Sequence, residues 1–287
     1  MSIFTGQVMN YSAYRLFLSL LIVGAAAWGQ MIPLQNPSFE SGQDVPDGWR
    51  LSGGEGGWFE DAASGMRAVY VAGEANSQAS TYWYTEPVSF EPNACYQFTF
   101  QARRLEGSSG SPITGPTFCN RDLHEVTSDW KSYTSYFVAP SKNTVAVLRL
   151  GQWNAEGTIA FDDVSLVGVA PVYLHRNGVA LGDGESIAGN KYVFTAPLTG
   201  DAANHARTLE GYDCSFNKPR WVFSNGSWVV YHHEVAGIAQ TSGEGEVTIG
   251  YYQGGRLLVE ASSDGENWVE VGSQNDMGTL KIAVPHC

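Results

Sequence analysis

In the stretch GTIAFDDVSL, Gly157 to Leu166, two adjacent carboxylates, Asp162 and Asp163, interrupt what otherwise reads as a buried strand. An ionised carboxylate taken out of water without a partner is strongly destabilising, so at least one of the two needs donors or a cation. Adjacent strand residues point to opposite faces. Alternation groups Asp163 with Phe161 and Ser165, and Asp162 with Ala160, Val164 and Leu166. One reading leaves one Asp in solvent while the other accepts backbone N–H groups at a turn.

A second set of residues has the chemistry of sugar recognition. Planar amides and guanidinium groups give paired hydrogen bonds to hydroxyls, and aromatic faces stack on the C–H-rich faces of pyranoses. In CYQFTFQAR, Tyr96, Phe98, Phe100 and Ala102 share one face, and Gln97, Gln101 and Arg103 share the other. In VAVLRLGQW, Ala146, Leu148 and Leu150 oppose Arg149 and Trp153. With the apolar sets in the core, Gln97, Gln101, Arg103, Arg149 and Trp153 form one polar surface, joined by Tyr136 of SYTSYFV. Trp58 in GGWFE and Trp83 in STYWYT, flanked by Tyr82 and Tyr84, fall at its rim or, as Trp often does, in the core.

Catalytic patterns are missing. The sequence has no GxSxG, HExxH, P-loop or helix-opening GxGxxG. Glu60/Asp61 and Asp162/Asp163 are neighbours that diverge, whereas a glycosidase needs two carboxylates facing each other across a cleft. His232 and His233 are likewise adjacent and cannot both face one metal from a strand. A binding protein, not an enzyme, is expected.

The elements that must carry these residues are strands. Period-two alternation dominates, and no long run shows a capped 3.6-residue apolar period. RRLEGSSGSPITGPTFCN reads as a long Gly/Ser/Pro-rich loop. In the second half, VFSNGSWVVY and EASSDGENWVEV each hold a hairpin signal, Asn225-Gly226 and Asp264-Gly265. The expected class is all-β: two β-sandwich jelly rolls in tandem, residues 30–170 and 171–287, parted near Pro171 after a leader at 1–29.

Of the 287 residues, 43% are hydrophobic and only 16% charged, enough to build a core. Arg15 precedes the apolar run Leu16 to Ala27, too short to span a bilayer comfortably and followed by small residues, the pattern of a signal peptide. No other run is long enough to insert in a membrane. The expected product is secreted, extracellular or at the cell surface. A formal charge of −13 disfavours nucleic acid and anionic lipid as partners. Four cysteines, Cys95, Cys119, Cys214 and Cys287, lie two in each half. Export points to disulfides, and Cys95–Cys119 with Cys214–Cys287 close the shorter loops; free buried thiols are the alternative.

The opening N-x-x-F-E of NPSFESGQDVPDGW with its following P-x-x-W, the strand Y-x-F-x-F-x-A-R and the closing D-D-V-S-L together resemble jelly-roll carbohydrate-binding modules of the family 4, 9, 16 and 22 type, over about residues 34–168. The resemblance implies a non-catalytic protein that binds a polysaccharide or other glycan. It also implies a structural calcium (Ca2+) joining the first and last strands, held by Glu40 and one of Asp162 and Asp163, with Asp163 slightly favoured by the alternation. In the second half, S-x-D-G-x-x-W resembles galactose-binding-like, discoidin-type sandwiches, in which Trp268 is a core residue. A structural or adhesive surface protein is favoured instead if Leu105–Thr117 covers the binding face, and a cryptic hydrolase if two carboxylates face each other across a cleft.

Overall fold

The computed structural model describes residues 29–73, 80–122, 125–170, 174–176, 179–189, 191–199, 204–235 and 241–284. All of the expected leader except Gly29, together with Pro171 and Cys287, lies outside these residues. Every regular element among the described residues is a strand.

The first half forms β1 (Trp49–Ser52), β2 (Glu55–Phe59), β3 (Ala68–Gly73), β4 (Ser80–Thr85), β5 (Val88–Ser89), β6 (Cys95–Pro116), β7 (Cys119–Asp122), β8 (Lys131–Val138), β9 (Val145–Ala146) and β10 (Leu148–Gly168). β6 and β10 are an antiparallel ribbon from Tyr96–Gly168 to Pro116–Leu148. Each takes different neighbours along its length. β10 pairs with β4 over Arg149–Trp153 and with β3 over Gly157–Phe161, while β6 pairs with β8 over Cys95–Ala102 and with β7 at Ile113–Thr114. Register shifts between Trp153 and Ile159 separate the two ends of the ribbon, as bulges bend and twist a strand pair.

The alternation read from the sequence places the core. Tyr96, Phe98, Phe100 and Ala102 are buried, as are Phe137, Leu148 and Leu150, and one apolar cluster joins both ends of the ribbon. Each fully buried Phe or Leu adds about 1.5–3 kcal/mol. The result is an all-β sandwich.

The expected loop after Arg103 is instead strand. A Gly/Ser-rich segment has little strand preference of its own, but here β10 supplies a partner ladder as far as Pro116. Its prolines do not interrupt this: Pro116 ends the strand, and Pro112 lies beyond the last pairing with β7.

The second half contributes β11 (Leu174–Arg176), β12 (Val179–Leu181), β13 (Glu185–Ala188), β14 (Lys191–Phe194), β15 (Leu209–Asp213), β16 (Ser215–Asn217), β17 (Arg220–Val222), β18 (Trp228–Tyr231), β19 (Gly243–Ile249), β20 (Leu257–Ala261), β21 (Val269–Gln274) and β22 (Gly278–Val284). The β16–β17 hairpin joins the first-half sheet by parallel pairing of β16 with β7, giving the order β1-β4-β10-β6-β7-β16-β17. Phe194, Tyr212, Phe216, Trp221 and Tyr231 belong to the same core cluster as Phe98 and Leu150, while Val247, Val259 and Ile282 form a smaller one.

Of the two hairpin signals, Asp264-Gly265 joins β20 to β21. Asn225-Gly226 makes a turn, with Ser227 N–H donating to Ser224 O at 3.1 Å, but its flanking strands pair elsewhere, β17 with β16 and β18 with β15. Trp268 is half-buried and donates to Gly265 O at 3.2 Å.

Candidate functional site

The two carboxylate-bearing segments meet on one loop. Asp162 is fully buried, and its Oδ2 accepts the N–H groups of Ala63 and Ser64 at 2.9 and 3.1 Å. Its Oδ1 accepts Asp163 N–H at 2.8 Å. Burial pushes the Asp162 carboxyl up to about 6, against the pull of those backbone donors. Asp163 has φ +47°, so simple alternation ends there, and its side chain accepts the Ser64 hydroxyl at 2.8 Å. Glu40 Oε1 accepts Met66 and Arg67 N–H at 2.8 and 3.0 Å.

The N-x-x-F-E motif has a local cause. Asn36 and Phe39 take positive φ, the Asn36 side chain exchanges two bonds with Ser41, and Phe39 packs 4.8 Å from Trp49. Trp49 Nε1 donates to the carbonyls of Gln35 and Asn36, and Val164 N–H donates to Pro37 O. Glu40 and Asp162 thereby clasp residues 63–67 from two sides. Glu40 Oε1 and both Asp162 oxygens thus accept the chain's own N–H donors, and among the described residues no three of His, Cys, Asp or Glu are grouped to hold a metal.

The second constellation lies at the other end of the ribbon. Directly opposed residues on paired strands share a face. Arg50, Tyr84, Arg149 and Gly115 form one such row, and Ser52, Tyr82, Gly151 and Ile113 the next. Trp153 follows, 48% exposed, opposite Ser80. The alternate row of Leu51, Trp83, Leu150 and Thr114 points into the sandwich.

Tyr82 and Tyr84 are half-buried, with rings meeting edge to face at 6.0 Å, and the Arg149 guanidinium lies 5.9 Å from the Tyr82 ring. Arg149 is fixed by Pro116 O at 3.2 Å and the Asn120 side-chain oxygen at 2.9 Å. Gly151 keeps the centre of the face low, because a Cβ there would come within 2.2 Å of Tyr82 Cβ. Aromatic rings beside an immobilised guanidinium can stack on a sugar and bind its hydroxyls.

The remaining sequence-derived residues divide. Trp83 is a correction: it is 1% exposed, in the core, with Nε1 donating to Tyr70 O at 2.9 Å. Tyr82 and Tyr84, its neighbours, take the outward positions. Gln97 and Tyr136 do face each other on β6 and β8, and Gln101 is near them opposite Ser132. They are not beside Arg149, however, whose partner on β6 is Gly115. The single polar surface expected from the sequence is therefore two patches. Arg103 pairs with exposed Asp61. Trp58 packs at the core margin, donates to Gln43 O at 3.2 Å and carries the Arg67 guanidinium 4.9 Å from its ring.

The cysteines also differ from expectation. Cys95, Cys119 and Cys214 are free, so the Cys95–Cys119 bridge is not formed. Cys95 and Cys119 act as small apolar residues of the core cluster, and burial pushes their thiols up to about 11 and about 12.

A polar cluster in the second half had no signal in the residue pattern. The Glu185 side chain, 0% exposed, accepts Arg207 Nε at 2.6 Å, a second bond from Arg207 Nη2, Tyr192 Oη at 2.7 Å and Gly182 N–H at 2.6 Å. Burial alone would raise its carboxyl, but the bonds from Arg207, Tyr192 and Gly182 hold it below the ordinary value. His233, 3.2 Å from Tyr192 Oη, is pushed down to about 4 by burial. This is a charge-paired tie that holds β13, β14 and the strand-end residues together.

No family model and no curated protein matches the chain. Among solved structures it is similar to the CBM22-1 xylan-binding domain of Paenibacillus barcinonensis Xyn10C, at 16% identity over 52% of this chain and 100% of that one, with TM-score 0.40. It is also similar to the C-terminal family 22 carbohydrate-binding module of Clostridium thermocellum Xyn10B, at 15% identity over 48% and 94%, TM-score 0.38. A third is TmCBM61, solved with β-1,4-galactotriose, at 21% identity over 47% and 97%, TM-score 0.33. Among the described residues no helix is long and apolar enough to cross a membrane.

Proposed function

We propose that this protein binds a glycan without transforming it, as an exported protein, on the outer face of β1, β4, β10 and β6. The observation that carries the reading is the convergence of Tyr82, Tyr84 and Trp153 with the anchored Arg149 on one side of a single sheet, while the alternate residues fill the core. Stacking surface and fixed hydrogen-bond donors are the two components that sugar recognition needs. Gln97, Gln101 and Tyr136 belong to a separate patch and are left out of the site. Calcium is left out as well, because Glu40 and Asp162 already serve the loop they clasp.

The test is a glycan array covering soluble β-glucans, xylans and galactans, probed with the wild-type protein, Trp153→Ala and Gln101→Ala. Binding that Trp153→Ala removes and Gln101→Ala leaves intact supports the reading. Absence of binding to every glycan rejects it.

A further inference from the structure

We infer that the second half of the chain completes the glycan-binding face, with Asn217 and Arg220 of the β16–β17 hairpin contacting the part of a longer glycan that extends past β6. The inference rests on the glycan reading above and adds residues to that same site. Its basis is sheet register. Asn120 on β7 stands beside Asn217 on β16, and Asn217 stands opposite Arg220 on β17. Cys119, Phe216 and Trp221, the alternate residues, are all buried in the core, so Asn120, Asn217 and Arg220 face outward. Arg149 already reaches Asn120 across the sheet at 2.9 Å.

A continuous outward strip thus runs through Arg50, Tyr84, Arg149, Asn120, Asn217 and Arg220, across the strands. Two added strands at the usual spacing lengthen this strip by about 10 Å. Two features of the added part suit a polyol. Arg220 is exposed at the far end. The Asn217 side-chain oxygen is shielded from solvent and has no hydrogen-bond partner among the described residues, and a buried acceptor left unpaired is costly. Rotation of the Asn217 side chain toward the outer face would let a sugar hydroxyl donate to this oxygen and remove that cost on binding.

The experiment is calorimetry with the tri- and hexasaccharides of xylan, β-1,4-glucan and β-1,4-galactan, using the wild type, Tyr82→Ala, Asn217→Ala and Arg220→Ala, each checked for an unchanged melting temperature. Tyr82→Ala should weaken both lengths. Asn217→Ala and Arg220→Ala should weaken the hexasaccharide about three- to tenfold, the equivalent of one or two hydrogen bonds, and leave the trisaccharide unchanged. Arg220 is on the surface, so its variant reports on binding even if Asn217→Ala disturbs the hairpin. A hexasaccharide affinity unchanged in Arg220→Ala and in folded Asn217→Ala, with Tyr82→Ala still harmful, overturns this inference and leaves the glycan site standing. Failure of the wild type to bind any of the six overturns both.

Discussion

Asp162 accepts the backbone N–H of Ala63 at 2.9 Å, joining residues ninety-nine positions apart in the chain. The carboxylate that looked out of place in a buried strand is the anchor of the loop at residues 63–67. Its burial has a cost, visible as a carboxyl raised to about 6. The folded chain therefore holds this proton more tightly than the unfolded chain does. Between the ordinary carboxylate value and about 6, the folded state carries more protons, so stability falls as pH rises through that window. Asp162→Asn cannot titrate, and urea unfolding between pH 4 and 7.5 should show a shallower pH slope for it than for the wild type. Its amide nitrogen cannot replace the accepting oxygen, so it should also lose about 1–3 kcal/mol at neutral pH. Parallel pH slopes would remove Asp162 as the titrating group.

Metal dependence gives the opposite sign and is a separate check. A cation bound by Glu40 and Asp162 would hold both carboxylates ionised and stabilise the fold in proportion to its concentration. With backbone donors in that role, millimolar Ca2+ and EDTA should give superimposable thermal melts. A rise of several degrees in Ca2+ that Glu40→Gln abolishes would restore the metal to the site.

The outward face separates affinity from stability. Trp153→Ala and Tyr82→Ala should each lower glycan affinity about two- to tenfold, the loss of one stacked ring, with little change in melting temperature. Trp83→Ala, one position from Tyr82, should instead cost about 3–5 kcal/mol of stability by opening a core cavity. Titration and thermal melts of the three variants, side by side, test this reading of strand parity. Equal loss of affinity and equal stability in all three would refute it.

That parity shows how far the sequence can be read. In CYQFTFQAR one phase is apolar and the other polar, so alternation alone fixes the core. In STYWYT both phases carry aromatics, and composition cannot choose between Trp83 and its neighbours. The choice is made by the register with Leu150, an already buried residue on a strand sixty-odd positions away. The same limit explains the Gly/Ser-rich segment: nothing in its own residues signals a strand, and the ladder with β10 imposes one. Gln97 and Arg149 share a polar phase within their own strands, but local periodicity does not say that they lie at opposite ends of a long ribbon. Least legible is the pairing of Cys119 with Phe216, because a parallel bridge between distant segments leaves no local signature.

Thiol chemistry tests the core position of the cysteines. Thiols pushed up to about 11 and about 12 are almost wholly protonated at pH 8, and both are buried. Iodoacetamide should leave Cys95 and Cys119 unmodified in the native protein, and modify both in denaturant without any reductant. Mass spectrometry of the peptides reads the outcome. Peptides that label only after reduction would show that a bridge forms after all.

The tie between Glu185 and Arg207 carries a prediction about the second half. Removing one partner of a buried ion pair leaves the other charge desolvated and unpaired, which typically costs about 3–5 kcal/mol. Arg207→Ala does this to Glu185, whose side chain is 0% exposed, although Tyr192 and Gly182 remain as donors. Glu185→Gln removes the charge but keeps an acceptor, leaving Arg207 with partial access to water, and should cost less. Denaturant unfolding of both variants should therefore rank Arg207→Ala below Glu185→Gln. The double variant Arg207→Ala/Glu185→Gln should recover part of the loss, because no buried carboxylate is then left without its cation. A double variant as unstable as the sum of the two singles would mean that the pair contributes packing and not charge balance.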